Sequence, residues 1–471
     1  MEENSDSNSK LSWISVCPDS PYFIDENGRD WTPIGQNDAV TWPDLAGLFR
    51  RRNISEVEGH LAYLSDHGVT CIRIMLEYCQ SENRYLEKPV GKFQPNMVQF
   101  WDDLFVLCEK YKLRILLTPF DTFWMTRRWK FHPYNKLNGG PCRAKTQLLT
   151  SPETINAIKD RFTFAAERWG GSGVLFAWDL WNEINPAHAS RKTDGFYHFI
   201  EEISNHLRNK EMELYGKSHP QTVSIFAPLL HKHDVNDVIF RHPNLDFAST
   251  HFYEEKTINY PKNTVDAAVA TGEMVREALL HVPAKRPFLD SEHGPIDYFS
   301  KRKKNLPEHF DDQYFLNMQW AHLASGGAGG GMRWPYRHPH VLTHGMRRSQ
   351  RNMVSFLKLI DWHRFERKNL SQDIVNHSVD TEVFACGDEN QAVVWLLRKN
   401  LKRPKARSAK DTVCMADISV PNLKAGLYKI HFWDTVSGEL NVEEITKGEG
   451  TLQLKFSFSS SNIAVAMTRV D

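Results

Sequence analysis

Between residues 31 and about 360 the chain alternates short apolar runs with longer stretches whose apolar residues recur every three or four positions. The runs 70–76 (TCIRIML), 114–118 (RILLT), 174–180 (VLFAWDL), 222–227 (TVSIFA), 247–251 (FASTH) and 287–290 (PFLD) have strand length. Strands buried on both faces of a parallel sheet read in this way. The stretches between them read as amphipathic helices. Residues 55–67 place Val57, Leu61 and Leu64 on one side and end before Gly68, a helix-stop residue. Ser151 and Pro152 open another helix, with Ile155, Ile158, Phe162 and Trp169 along one face. Residues 194–215, 264–281, 311–324 and 350–360 repeat the pattern.

Residues 31–35 as a first strand and 330–334 as a last bring the strands to eight. Eight β/α units in this length predict an α/β fold, the (β/α)8 TIM barrel. A doubly wound sheet is the alternative, but no glycine-rich phosphate loop follows the first strand. Past residue 369 the helical period vanishes. Short strands at 382–386, 392–398, 413–420, 427–433, 451–456 and 463–469 predict a C-terminal antiparallel β-sandwich. The expected organisation is a polar N-terminal segment at 1–19, a barrel at 20–368 and a sandwich at 369–471. The basic stretch 399–410 (KNLKRPKARSAK) reads as a solvated loop within the sandwich.

The 471 residues suffice for a large core, and their formal net charge is zero. That balance argues against general binding to nucleic acid or to a membrane surface, and no apolar run is long enough to span a bilayer. The first ten residues are polar and contain no signal core, so either the protein is intracellular or a signal has been trimmed from a secreted one. Seven scattered cysteines include no C-x-x-C pair and are expected to be reduced thiols. The H-x-H spacings at His231 and His233 and at His338 and His340, with His344 nearby, lack acidic or cysteine partners, and no metal is expected there.

Residues 174–186 (VLFAWDLWNEINP) begin as a buried strand and end in a polar cluster, Asn182 and Glu183. Residues 286–294 (RPFLDSEHG) repeat the plan and end in Ser291, Glu292, His293 and Gly294. In a β/α barrel such positions at strand ends line the active site. A pair of carboxylates there is the minimum equipment for breaking a glycosidic bond.

The W-N-E ending of strand four and the E-H-G ending of strand seven resemble glycoside hydrolase clan A, most closely family 5. The opening FIDENGRDWTPIGQND is also similar to that family's entry into its first strand. The resemblance covers the barrel and implies a retaining mechanism, with Glu183 as general acid/base and Glu292 as nucleophile. It implies that Asn182 bonds the sugar 2-hydroxyl and that Arg73 lies beside the nucleophile. His251 and Tyr253 match the strand-six histidine and tyrosine, and Trp334 matches the tryptophan that floors the first sugar subsite. Many members carry a histidine after strand three. Here that stretch reads LLTPFDTFW, with Asp121 and Trp124 as candidates to replace its contacts.

The chemistry also stands on the residues themselves. A general acid needs its pKa raised, which burial and a neighbouring anion supply, while an arginine and a tyrosine hydroxyl keep a nucleophile ionised. Tryptophan offers a flat surface to the C–H face of a sugar. The aromatic-rich segment 119–149 is either a self-packed rim loop or a subsite wall. The expected partner is an oligo- or polysaccharide, a β-mannan, β-glucan or microbial exopolysaccharide, with no cofactor and no metal required. A non-catalytic carbohydrate-binding barrel is the rival reading. Arg127, Arg128, Lys130, Lys301, Arg302, Lys303, Lys304, Arg333 and Arg337 are either solvated loop charges paired with local acids or a ring about the cleft that favours an anionic glycan.

Overall fold

A computed structural model describes residues 10–78, 84–189, 194–226, 235–296, 306–335, 342–402 and 413–470. Nine strands form one sheet. Read along the sheet they are Gln221–Thr222, Leu175–Asp179, Arg114–Thr118, Cys71–Met75, Gly35–Asp38, Met332–Arg333, Phe288–His293, Ala248–Phe252 and Ser224–Phe226. The first and last belong to one barrel strand interrupted at Val223, which leaves the eight strands of a (β/α)8 barrel. The pairs whose register is defined are all parallel.

The first compact unit comprises residues 1–16, 23–31 and 37–250. It contains barrel strands two to five, and each strand residue of 71–75, 114–118 and 175–179 is buried. That explains the near-continuous apolar runs. The helix Pro152–Trp169 starts at the expected cap, where Ser151 Oγ accepts the Thr154 N–H at 3.5 Å. The helix Asp194–Tyr215 has the predicted bounds. Pro95–Lys110 is a helix the hydrophobic reading passed over, burying Met97, Phe100, Trp101, Leu104, Phe105 and Cys108.

The first barrel strand is not at 31–35. Asp30–Trp31 pairs instead with Phe23–Asp25 in a small antiparallel sheet that also contains Ile14–Val16. The barrel strand is Gly35–Asp38, four buried residues of which three are polar. Within the stretch 1–19, Trp13 and Ile14 are buried.

The second unit comprises residues 17–22, 32–36 and 251–471. Its helices Thr264–Leu279, Glu308–Ala324 and His344–Leu357 follow strands six to eight. Beyond them lie a six-stranded and a three-stranded antiparallel sheet. The central strands Gln391–Arg398 and Asn462–Arg469 pair over seven residues, and Val394, Leu396, Ile430, Val465 and Ile418 belong to one buried cluster. The edge strand Leu440–Lys447 is mostly exposed and polar, and it was absent from the expected set. Lys399–Lys402 is a short 3-10 turn; the remainder of the basic stretch lies outside the described residues. The six described cysteines are buried free thiols, and Cys79 lies outside the described residues.

Candidate active site

In the first unit the site is built around Arg73, fully buried on strand two. Its guanidinium donates to Asn37 Oδ1 at 2.8 Å, Asp179 Oδ2 at 2.8 Å and Asn182 Oδ1 at 2.5 Å. A buried arginine is tolerable only with such partners, and Asp179 supplies the compensating charge. Asp179 also accepts the Ser224 N–H at 2.9 Å, and Ser224 Oγ accepts the Glu183 N–H at 3.1 Å. Strands one, two, four and five are thereby tied together around the residues that precede Glu183.

Glu183 has φ of +50°, a left-handed conformation that costs a non-glycine residue about 1–2 kcal/mol. Strain of this kind persists where the surroundings over-determine it, and it collects at functional sites. Burial raises the Glu183 carboxyl to about 7; the Arg73 charge opposes the rise and Asp179 adds to it. A carboxyl so placed is half protonated at neutral pH and can both give and take a proton.

Asp121 follows strand three and caps the helix Thr122–Arg127, accepting from the N–H groups of Phe123 and Trp124. It also accepts from Asn182 Nδ2 at 2.5 Å. Trp124 is partly exposed and meets Tyr78 edge-on at 5.6 Å. Asp121 and Trp124 line a small recess with Glu77, Met125 and His132. Behind the recess lies a buried ionic group that the sequence reading missed. Arg161 binds Glu87 at 2.6 Å and Glu77 at 3.2 Å, and His132 Nε2 lies 3.2 Å from Glu77. Burial alone would raise Glu77, but Arg161 and His132 outweigh it and bring its carboxyl to about 2.

The segment 119–149 thus serves as more than a loose cover. Tyr134, Cys142, Leu148 and Leu149 are buried in it, while Phe123 and Phe131 remain 43% and 46% exposed. Of the expected basic ring, Arg127 packs over the Phe123 ring. Lys301, Arg302, Lys303, Lys304 and Arg337 lie outside the described residues, as do His231, His233, His338 and His340.

In the second unit Glu292 is the last residue but one of strand seven, Phe288–His293. Tyr253 Oη donates to its Oε1 at 2.7 Å, and His251 Nδ1 is 3.9 Å from its Oε2. Below it, Asp290 Oδ1 accepts the N–H groups of Phe252 and Glu292, and its Oδ2 lies 2.6 Å from His293 Nδ1. Burial, reinforced by the Arg333 charge, lowers His293 to about 3. The neutral ring therefore donates its Nδ1–H to Asp290. Gly294, at φ +155°, allows the chain to pass Trp334: a Cβ there would lie 3.1 Å from the Trp334 carbonyl oxygen.

Trp334 leaves strand eight at 8% exposure, its N–H bound to the His293 carbonyl at 2.8 Å. Arg333 is buried and donates to Asp311 at 2.7 Å, so it is spent inside the barrel wall and unavailable to an anionic glycan. Within the first unit, Asp38, Asp44 and His60 bring one donor atom each to within 4.8 Å of one another, a group that could hold a metal ion.

No protein-family model matches the chain, and no curated protein matches it in sequence. The fold itself is shared with solved glycoside hydrolases. A family 5 glycoside hydrolase from Bacteroides vulgatus superposes with a TM-score of 0.63 over 98% of this chain and 95% of its own, at 11% identity. A family 5 mannosidase from Rhizomucor miehei gives 0.55 over 74% and 99%, at 14% identity. An endo-1,4-β-D-mannanase from Thermotoga petrophila gives 0.51 over 69% and 100%, at 13% identity.

Proposed function

We propose that the protein is a retaining β-glycoside hydrolase in which Glu183 is the general acid/base and Glu292 the nucleophile. The observation that carries the reading is Glu183 itself. A strained residue at the end of strand four, following an asparagine locked by Arg73, has its carboxyl raised to about 7. The family 5 fold of the neighbours supports the same reading.

In the first step the Glu292 carboxylate attacks the anomeric carbon while Glu183 protonates the departing glycosidic oxygen. The C–O bond breaks, its electron pair leaves with the aglycone, and a glycosyl ester forms on Glu292. In the second step water attacks the same carbon. Glu183 accepts its proton, and Glu292 leaves as a carboxylate. Tyr253 holds one oxygen of Glu292 in place for both steps. Asn182 keeps an N–H for the hydroxyl beside the reacting carbon.

Two of the neighbours are named as a mannosidase and a mannanase. We take β-mannosides as the first substrates to try, with β-glucosides as the control. Aryl β-glycosides of both sugars test the assignment. Glu292→Ala should lose turnover on all of them. Glu183→Ala should keep glycosylation on aryl groups that leave without a proton and lose it on poor leaving groups. Equal loss on both kinds of leaving group would reverse or remove the roles. Glycan binding without turnover would return the protein to the binding-only class.

A further inference from the structure

We propose that Asp121 is a positioning residue rather than a sugar ligand: its carboxylate locks the Asn182 carboxamide so that one defined N–H remains for the substrate. The inference rests on the glycosidase reading for its kinetic consequences, but its geometry stands alone.

A carboxamide has two N–H donors and one oxygen with two lone pairs. Asn182 Oδ1 accepts from Arg73 at 2.5 Å, and Asn182 Nδ2 donates to Asp121 Oδ1 at 2.5 Å. Turning the amide over would set N–H against guanidinium and oxygen against carboxylate, so only one orientation is stable. One N–H and one lone pair are left over.

The Asp121 carboxylate is itself immobile. Its Oδ1 accepts the Phe123 N–H at 3.1 Å and its Oδ2 the Trp124 N–H at 2.5 Å, both from the first turn of the helix Thr122–Arg127. The backbones are stitched together as well. Asn182 N–H donates to Phe120 O at 2.9 Å, and Thr122 N–H donates to Asn182 O at 3.1 Å. With three donors on a 7% exposed carboxylate, little is left of Asp121 for a sugar hydroxyl.

The charged and titratable groups around it are Glu183, Glu77, His132 and, through Asn182, Arg73. Burial raises Asp121 to about 6; the Trp124 N–H and Asn182 oppose the rise, and Glu183 adds to it. Protonation removes the negative charge that Asn182, Phe123 and Trp124 donate to and puts a hydrogen on one of the two accepting oxygens. The lock should therefore weaken as pH falls below about 6.

Asp121→Asn separates the two duties of the residue. Asparagine caps helices as well as aspartate does. Its one oxygen cannot serve both edges, however: in the place of Oδ2 it caps the Trp124 N–H and sets its own N–H against the N–H of Asn182, whereas in the place of Oδ1 it gives up the 2.5 Å bond from Trp124. On a substrate with the 2-hydroxyl, kcat/KM should fall about 10- to 100-fold. On the 2-deoxy analogue, and in an Asn182→Ala background, the same change should cost less than about 3-fold. An equal loss in all three settings would overturn the proposal, because it would reflect general damage.

A substrate-free arm uses selective 15N-asparagine labelling, with the Asn182 carboxamide signal identified by its absence in Asn182→Ala. That signal should titrate with a midpoint near 6 and lose its titration in Asp121→Asn. A signal that ignores pH between about 5 and 8, or behaves identically in Asp121→Asn, would also overturn it. Inactivity of the unmodified protein on every glycoside would instead refute the proposed function, while the labelling arm still decides the role of Asp121.

Discussion

Replacing Glu183 by glutamine should stabilise the protein at alkaline pH and leave it nearly unchanged in acid. Burial holds the folded-state carboxyl near 7, against an ordinary value of 4.5. Below about pH 4.5 both folded and unfolded chains are protonated and nothing is lost. Between about 4.5 and 7 the unfolded chain releases the proton first, so stability falls as pH rises. Above about 7 both are ionised and the full penalty stands. The difference corresponds to about 3 kcal/mol, or about 2 kcal/mol once the partial exposure of the side chain is allowed for. Glutamine keeps the shape and the left-handed backbone strain, so it removes only the ionisable charge. With an unfolding entropy of about 2.1 cal/mol/K per residue over a barrel of about 350 residues, each kcal/mol moves Tm by about 1.4 °C. Calorimetry at about pH 5 and pH 8 should therefore show Tm of Glu183→Gln raised by about 3 °C at the higher pH, and by under about 1 °C at the lower. A gain of equal size at both pH values, or a loss at the higher one, would refute desolvation as the source of the raised carboxyl.

Other expectations follow from the same geometry. If the protein acts as proposed, its kcat/KM should decline as pH rises through about 7, where Glu183 loses its proton, and this limb should vanish in Glu183→Gln variants assayed on activated substrates. Arg73→Met should cost about 3–5 kcal/mol in denaturant melts, because Asp179 is left charged and buried, and adding Asp179→Asn should recover part of the loss. Tyr253→Phe should lower kcat with little change in thermal stability, since its hydroxyl donates to Glu292; an unchanged kcat would remove Tyr253 from the site. Ser151→Ala should cost about 1 kcal/mol through the lost cap, measured by the same melts.

The legible parts of the fold were those written in apolar residues. Strands two, three, four and seven bury every residue, and their polar endings marked the candidate site. Strand one was misplaced because it carries no apolar residue. Gly35–Asp38 turns Gln36 toward Arg347 and Asn37 toward Arg73, so its burial is satisfied by hydrogen bonds that leave no hydrophobic signal. The Leu440–Lys447 strand was missed for the opposite reason: an exposed sheet edge has no buried face to alternate with. Asp121 was read as a candidate to replace the contacts of a histidine after strand three; an aspartate directly before a helical turn is also a cap signal, and the structure uses it as one. Asp179 is an acid inside an otherwise apolar run, and that mismatch could have marked it as the counter-charge of Arg73. Contacts distant in sequence, such as that between Glu77 and Arg161, leave no local trace.

The central claim, a covalent intermediate on Glu292, is tested most directly by trapping it. A 2-deoxy-2-fluoro glycoside of whichever sugar is turned over, carrying a good leaving group, should form the glycosyl-enzyme and hydrolyse it only slowly. Mass spectrometry of the digested protein should find the fluorosugar on the peptide that contains Glu292, and on no peptide of Glu292→Gln. Label on the Glu183 peptide, or rapid turnover with no label on either, would contradict the account.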